Sequence, residues 1–257
     1  MGAVSAPERP TDSQTRAVPV SADALASNLA GVRERIAAAG ADPARVRVVA
    51  VTKGFGPQAV TAALEARIRD VGENYAQELL AKVVALGADG PVGAARHVAP
   101  AWHFLGSIQR NKVAALAPHV VFWHSVERLE AGQAIARHQP GARILVQVNV
   151  SREASKHGCP PDATGALVAE LRQLDLDVAG LMAVGPAGPA EAARPGFREL
   201  AQLARQLGLA ELSMGMSGDL EVAVQEGATM IRVGRSLFGP RPQPAAPTPV
   251  GSLNGGK

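Results

Sequence analysis

"RVRVVAVTKGFG", residues 45–56, decides the fold. A short run of β-branched, apolar residues bounded by glycine reads as a strand covered on both faces, as in a parallel sheet flanked by helices. Lys53 falls at its carboxyl end. In open α/β sheets and closed α/β barrels alike, that edge carries the loops that hold ligands. A lysine there is either a side chain snorkelling to water or a functional amine.

Outward from this stretch, seven further runs have strand character: 67–71, 102–106, 120–125, 143–150, 177–184, 211–216 and 229–234. Alanine- and leucine-rich segments of helical period lie between them, such as "PQAVTAALEAR", "AQELLAKVVALG", "PDATGALVAELRQL" and "PGFRELAQLARQLG". A further helix precedes the first strand, with Ser21 as its cap, Leu25, Leu29, Val32 and Ile36 on one face, and Gly40 at its end. Alternating strand and helix predicts a parallel sheet. Eight strands, with no G-x-G-x-x-G opening a helix after the first, predict a (β/α)8 TIM barrel rather than a doubly wound sheet. The expected organisation is an α/β barrel over residues 21–240, between a proline-, serine- and threonine-rich tail (1–20) and a proline- and glycine-rich tail (241–257), both expected to be disordered.

Composition narrows the function. With 257 residues, 47% of them hydrophobic, the chain suits one barrel. A net charge of only +3 and 3% aromatics argue against nucleic acid as a partner. The absence of a long apolar stretch argues against a membrane. Cys159 is the sole cysteine, so no internal disulfide forms and a cytoplasmic location is expected.

In a barrel the active face collects Lys53, Glu73, Asn74, Gln109, Asn111, Ser125, Asn149, Met182, Ser217, Arg232 and Gly234. The last two strands of this fold commonly present a phosphate site built from glycine-rich turns. Here "SMGMSGDLEVAV" supplies Ser217 and Gly218, and "RVGRSLFG" supplies Gly234, Arg235 and Ser236. A lysine opposite a phosphate clamp suits an aldehyde that carries phosphate, and pyridoxal 5'-phosphate (PLP) is one. The amine must be neutral to condense, so burial or a cation such as Arg232 is expected to depress the Lys53 pKa. Singly, the glycine loops also read as tight turns and Arg232 as an ion-pair residue; the assignment rests on their conjunction.

The motifs "VAVTKGFGPQAV", "VGENYAQELLAK", "WHFLGSIQRNK", "HSVER", "VQVNVSREASKHG", "GLMAVGP" and "LSMGMSGDLEVAVQEGATMIRVGRSLFG" resemble those of the pyridoxal phosphate homeostasis protein family, the YggS/PROSC type. The resemblance runs from about Ser21 to Gly239 and implies a TIM barrel similar to the N-terminal domain of alanine racemase. It implies that Lys53 carries PLP as an aldimine, that Asn74 and Met182 lie near the cofactor, that Ser217, Gly234 and Arg235 surround its phosphate, and that Arg232 faces the pyridine nitrogen. Two positions depart from the family pattern. Arg235 stands where a hydroxyl residue is common, and Gly185 precedes Pro186.

The family implies a role in intracellular storage and delivery of PLP; apo-forms of PLP-dependent enzymes are the expected partners and a monomer the expected state. The other reading is an amino acid racemase of the alanine racemase type. Arg232 against the ring nitrogen disfavours a protonated, electron-withdrawing ring. Racemisation needs a base on each face, and alanine racemase takes one from a tyrosine in a C-terminal domain for which this chain, ending in a short tail, is expected to have no counterpart. Tyr75, the one tyrosine, is the residue that keeps weak racemase activity open, against a reading as a helix-start residue on the barrel rim. Cys159 reads as a small buried thiol, and His103, His124 and His157 are too scattered along the chain to suggest a metal set. A sugar-phosphate lyase with a Schiff-base lysine fits Lys53 but not the seven motifs together.

Overall fold

The computed structural model describes residues 21–87, 99–153 and 155–241. Most of the two expected tails, 1–20 and 242–257, lies outside the described residues. Eight parallel strands close into a barrel in sequence order: β1 (Arg47–Val51), β2 (Asp70–Glu73), β3 (Ala101–Phe104), β4 (Val120–Val126), β5 (Ala142–Gln147), β6 (Leu176–Met182), β7 (Glu211–Ser213) and β8 (Met230–Val233). β8 returns to β1 with Val49 paired to Arg232 and Ala50 to Val233. The expected TIM barrel is the fold observed.

Helix α1 (Ala22–Ala38) precedes β1, and its first turn is capped as read: Ser21 Oγ accepts from the Ala24 N–H at 3.1 Å. Leu25, Leu29, Val32 and Ile36 are buried, and Gly40 leaves the helix at φ +93°. Outside the barrel lie α2 (Pro57–Glu65), α3 (Ala76–Leu86), α4 (Arg110–Leu116), α5 (Leu129–His138), α6 (Thr164–Leu171), α7 (Arg194–Gln206), α8 (Leu220–Gln225) and α9 (Arg235–Phe238).

Strand parity divides the core in two. Ala50, Leu181, Ile231 and Val233 join the large cluster packed between strands and helices, whereas Phe122, Leu145, Met182 and Met230 form a smaller cluster of their own. Along β8, therefore, Met230, Arg232 and Gly234 share the opposite face from Ile231 and Val233. Along β1 the same alternation carries Val51 and Lys53 to the cavity at the carboxyl end.

The second strand differs from expectation. It begins at Asp70 rather than at 67. Arg67 takes φ +62° and the Ile68 N–H donates to Ala63 O at 2.8 Å, so both residues are used in stopping α2. Other strands end a few residues earlier than their apolar runs. Val148, Val150 and Met214 are buried beyond the strand ends, so burial alone extends the pattern into the loops.

Candidate functional site

A cavity of about 540 Å³ opens at the carboxyl end of the barrel. Lys53, Asn74, Met182, Ser217, Arg232, Gly234 and Arg235 all line it, so the structure brings together every residue selected from the sequence as a cofactor contact.

Lys53 is half-buried. Its pKa is lowered by burial first, then by the charges of Arg241 and Arg232, against the opposing pull of Glu73 and Glu78. Arg241, assigned from sequence to the tail, lines the cavity, and its side chain lies 3.2 Å from where a Cβ on Gly54 would stand. Replacing Arg241 with methionine is therefore expected to raise the Lys53 pKa. The neutral amine is the reactive form, so the pH midpoint for acylation of Lys53 by an amine reagent should move upward. An unchanged midpoint, read by peptide mass spectrometry, would show that Arg241 does not act on Lys53.

Arg232 is buried. Its Nη1 donates to Ser213 O (2.6 Å) and Ser213 Oγ (2.8 Å), and Nη2 donates to Ala183 O (2.8 Å). Burial lowers its pKa to about 10 while Asp219 opposes, so it stays cationic near neutrality. In the loop after β7, Ser217 Oγ accepts from the Ser236 N–H at 3.1 Å, which ties the β7 and β8 loops together and leaves the hydroxyl hydrogen free to donate. Arg35 of α1 braces the same loop, donating to Ser217 O at 3.1 Å while held by Glu221 at 2.6 Å. A Cβ on Gly218 would meet no protein atom within 4 Å, so the backbone is open there. Gly185 has a packing reason. A Cβ would come within 2.9 Å of both Ala193 Cβ and Asp219 Oδ2.

Other strand-end polar residues have structural duties, contrary to the expectation that they belong to the site. Glu73 is buried, accepting from Thr52 Oγ1 at 2.6 Å and from Lys82 Nζ. Burial pushes its carboxyl up although Lys82 pulls the other way. Ser125 donates to Gly106 O. Asn149 Nδ2 donates to the carbonyls of Glu153 and Lys156, shaping the loop after β5. Gln109 and Asn111 line two other hollows. Tyr75 is 61% exposed and borders the hollow of Gln109, not the cavity of Lys53. Cys159 is buried as read, and burial raises its thiol pKa.

Sequence reading passed over Arg241, Asp219, Arg35 and Lys82. Asp219 is buried in the cavity wall, where its Oδ1 accepts from the Met216 N–H at 2.6 Å. No short-range pattern marks Arg35, whose partner Glu221 is 186 residues away. His103 and His124, distant along the chain, are hydrogen-bonded to each other inside the barrel.

A closed parallel barrel with a pKa-depressed lysine at the end of β1, facing serine and glycine loops after β7 and β8, defines a recognisable class. Residues 20–242 match the family model for the alanine racemase N-terminal domain. The chain belongs to that family and, within it, to the pyridoxal phosphate homeostasis proteins. The relative of that name from Pseudomonas aeruginosa is 43% identical over 228 residues, covering 86% of this chain and 95% of its own. The human one is 33% identical over 223 residues, covering 79% of each chain. Among solved structures, PipY of Synechococcus elongatus with PLP bound superimposes with a TM-score of 0.70 at 32% identity, covering 84% of this chain and all of that one. Alanine racemase from Corynebacterium glutamicum, at 14% identity and a TM-score of 0.64, shares the fold over 89% of this chain and 64% of its own.

Proposed function

We propose that the protein binds PLP in the cavity at Lys53 and serves as an intracellular store and donor of it, without turning over amino acids. The observation that carries this reading is the pairing of a pKa-depressed lysine with the Ser217 and Gly234 loops in one cavity, in a chain akin to proteins named for PLP homeostasis. The lining suits the group. Its volume is in the range of small-ligand sites, and among the described residues Lys53, Arg232, Arg235 and Arg241 outnumber the one lining carboxylate, Asp219, which is already engaged by a backbone N–H.

PLP supplies an aldehyde, which condenses with a neutral primary amine, and a phosphate dianion. Lys53 would provide that amine. Ser217 O–H, the backbone at Gly234 and the Arg235 side chain would hold the phosphate, with Arg235 offering charge where a hydroxyl is common. Arg232 would donate toward the ring nitrogen, and Asn74 and Met182 would flank the ring.

Racemisation of a bound amino acid calls for a second acid–base group, on the face opposite Lys53. Among the described residues, the lining holds no histidine, tyrosine or cysteine, and Tyr75 lies outside it. That favours a carrier over a racemase. The expected partners are apo-forms of PLP-dependent enzymes, met in the cytoplasm by a monomer. No helix among the described residues is long and apolar enough to cross a membrane. Incubating the PLP-loaded protein with a PLP-requiring apo-enzyme should restore that enzyme's activity, while L- or D-alanine in deuterated water should show no Cα exchange above a protein-free PLP control. Rapid exchange lost in both Lys53→Ala and Tyr75→Phe would instead establish the racemase.

A further inference from the structure

Below the cavity, the barrel interior contains an unbroken chain of hydrogen bonds that ends on Arg232. Asp70 opens β2 at the amino-terminal mouth, and its Oδ1 lies 2.9 Å from His103 Nε2 on β3. His103 Nδ1 lies 2.8 Å from His124 Nε2 on β4. His124 Nδ1 lies 3.0 Å from Ser213 Oγ at the end of β7, which accepts from Arg232 Nη1 at 2.8 Å. His103, His124 and Ser213 are buried, and Phe122 packs its ring against both imidazoles.

The two ends are chemically one-way. Arginine can only donate and a carboxylate can only accept. Burial pushes the Asp70 carboxyl up, but the hydrogen bond and positive charge offered by His103, followed by the charges of Arg47 and Arg69, outweigh it and hold the group below its ordinary range. Burial, with His103 and the charges of Arg232 and Arg47, pushes His124 well below the ordinary histidine range. With neutral rings, four bonds then admit one order of protons. Arg232 donates to Ser213, Ser213 to His124 Nδ1, His124 Nε2–H to His103 Nδ1, and His103 Nε2–H to Asp70. An extra proton on His103 would reverse the upper bonds and turn the buried Ser213 hydroxyl away from its acceptor.

We infer that His103 and His124 are positioning residues for Arg232: acting through Ser213, they fix the orientation of the guanidinium that lines the cavity. In the neutral-ring order every donor in the chain points away from Arg232, so each dipole turns its negative end toward the buried cation. Part-satisfied polar groups in such an interior are costly, whereas a fully satisfied chain is rigid. The inference rests on the proposed placement of the PLP ring nitrogen against Arg232.

Two measurements test it. In protein with 15N-labelled histidine and no added PLP, both rings should carry the proton on Nε2 at neutral pH. A proton on Nδ1 of either, or an imidazolium, would overturn the chain. The second measurement compares affinity for PLP with affinity for its 1-deaza analogue, which lacks the ring nitrogen, in His124→Phe and His124→Gln. Loss of a charge-assisted bond to the nitrogen should weaken PLP by about tenfold in His124→Phe and leave the analogue within about threefold. His124→Gln should restore PLP binding, because its amide can accept from Ser213 and donate to His103. Ser213→Ala cuts the chain at its upper end and replaces His124→Phe if that variant does not fold. Equal losses for the two ligands, or no loss in a folded variant, would overturn the positioning role. If the wild-type protein bound neither ligand, the PLP reading would fall and the positioning role with it, while the ring tautomers would still decide the proton order.

Discussion

After incubation with PLP and reduction by borohydride, peptide mass spectrometry should find the pyridoxyl group on Lys53, and Lys53→Ala should abolish that label. Lys53 is favoured because the reaction needs a neutral amine. An ordinary lysine is neutral only about once in 2,500 molecules at pH 7. Burial and the charges of Arg241 and Arg232 shift Lys53 toward the neutral form. Two other lysines in the described barrel are already engaged. Lys82 is buried and donates to Thr52 O at 2.7 Å as well as to Glu73, and Lys156 pairs with Glu153 at 2.8 Å. A label found chiefly on Lys82, Lys112 or Lys156 would remove the basis for the proposed site. Lys53→Ala should still retain PLP noncovalently, since the β7 and β8 loops are untouched.

Pyridoxal, which lacks the phosphate, should bind at least about a hundredfold more weakly than PLP. Two charge-assisted hydrogen bonds at roughly 1.5 kcal/mol each already account for that factor. Ser217→Ala should weaken PLP by roughly 1–3 kcal/mol and leave pyridoxal nearly unaffected, because in the proposed placement only PLP offers the hydroxyl a phosphate acceptor. The same substitution also removes the acceptor for the Ser236 N–H, so the pyridoxal control separates phosphate binding from loosening of the loop. Equal affinities for PLP and pyridoxal in the wild-type protein would show that these loops do not hold the phosphate.

The order of strands and helices, the barrel they form and the position of Lys53 are all legible in the chain. They follow from local rules: apolar runs of strand length, helical periods between them, a capping serine and glycine stops. Part of the cavity lining was legible too, because a lysine at one strand end and small residues after the last two strands are placed by topology alone.

Which polar residues leave the site was decided only by the tertiary structure. Glu73 sits at a strand end just as Lys53 nearly does, yet it is consumed by Thr52 and Lys82, contacts that depend on how α3 packs over β1 and β2. Whether a strand residue faces the interior depends on parity, and parity depends on where the strand starts. For β2 that start was set by the turn at Arg67, which no apolar pattern announces. Barrel closure also makes neighbours of residues far apart in sequence. His103 and His124 are 21 residues apart and His124 and Ser213 are 89 apart, so their chain to Arg232 exists only once eight strands share one interior. Sequence, through local propensity and period, determined the frame and the amine; long-range packing determined which charges surround that amine and how Arg232 is held.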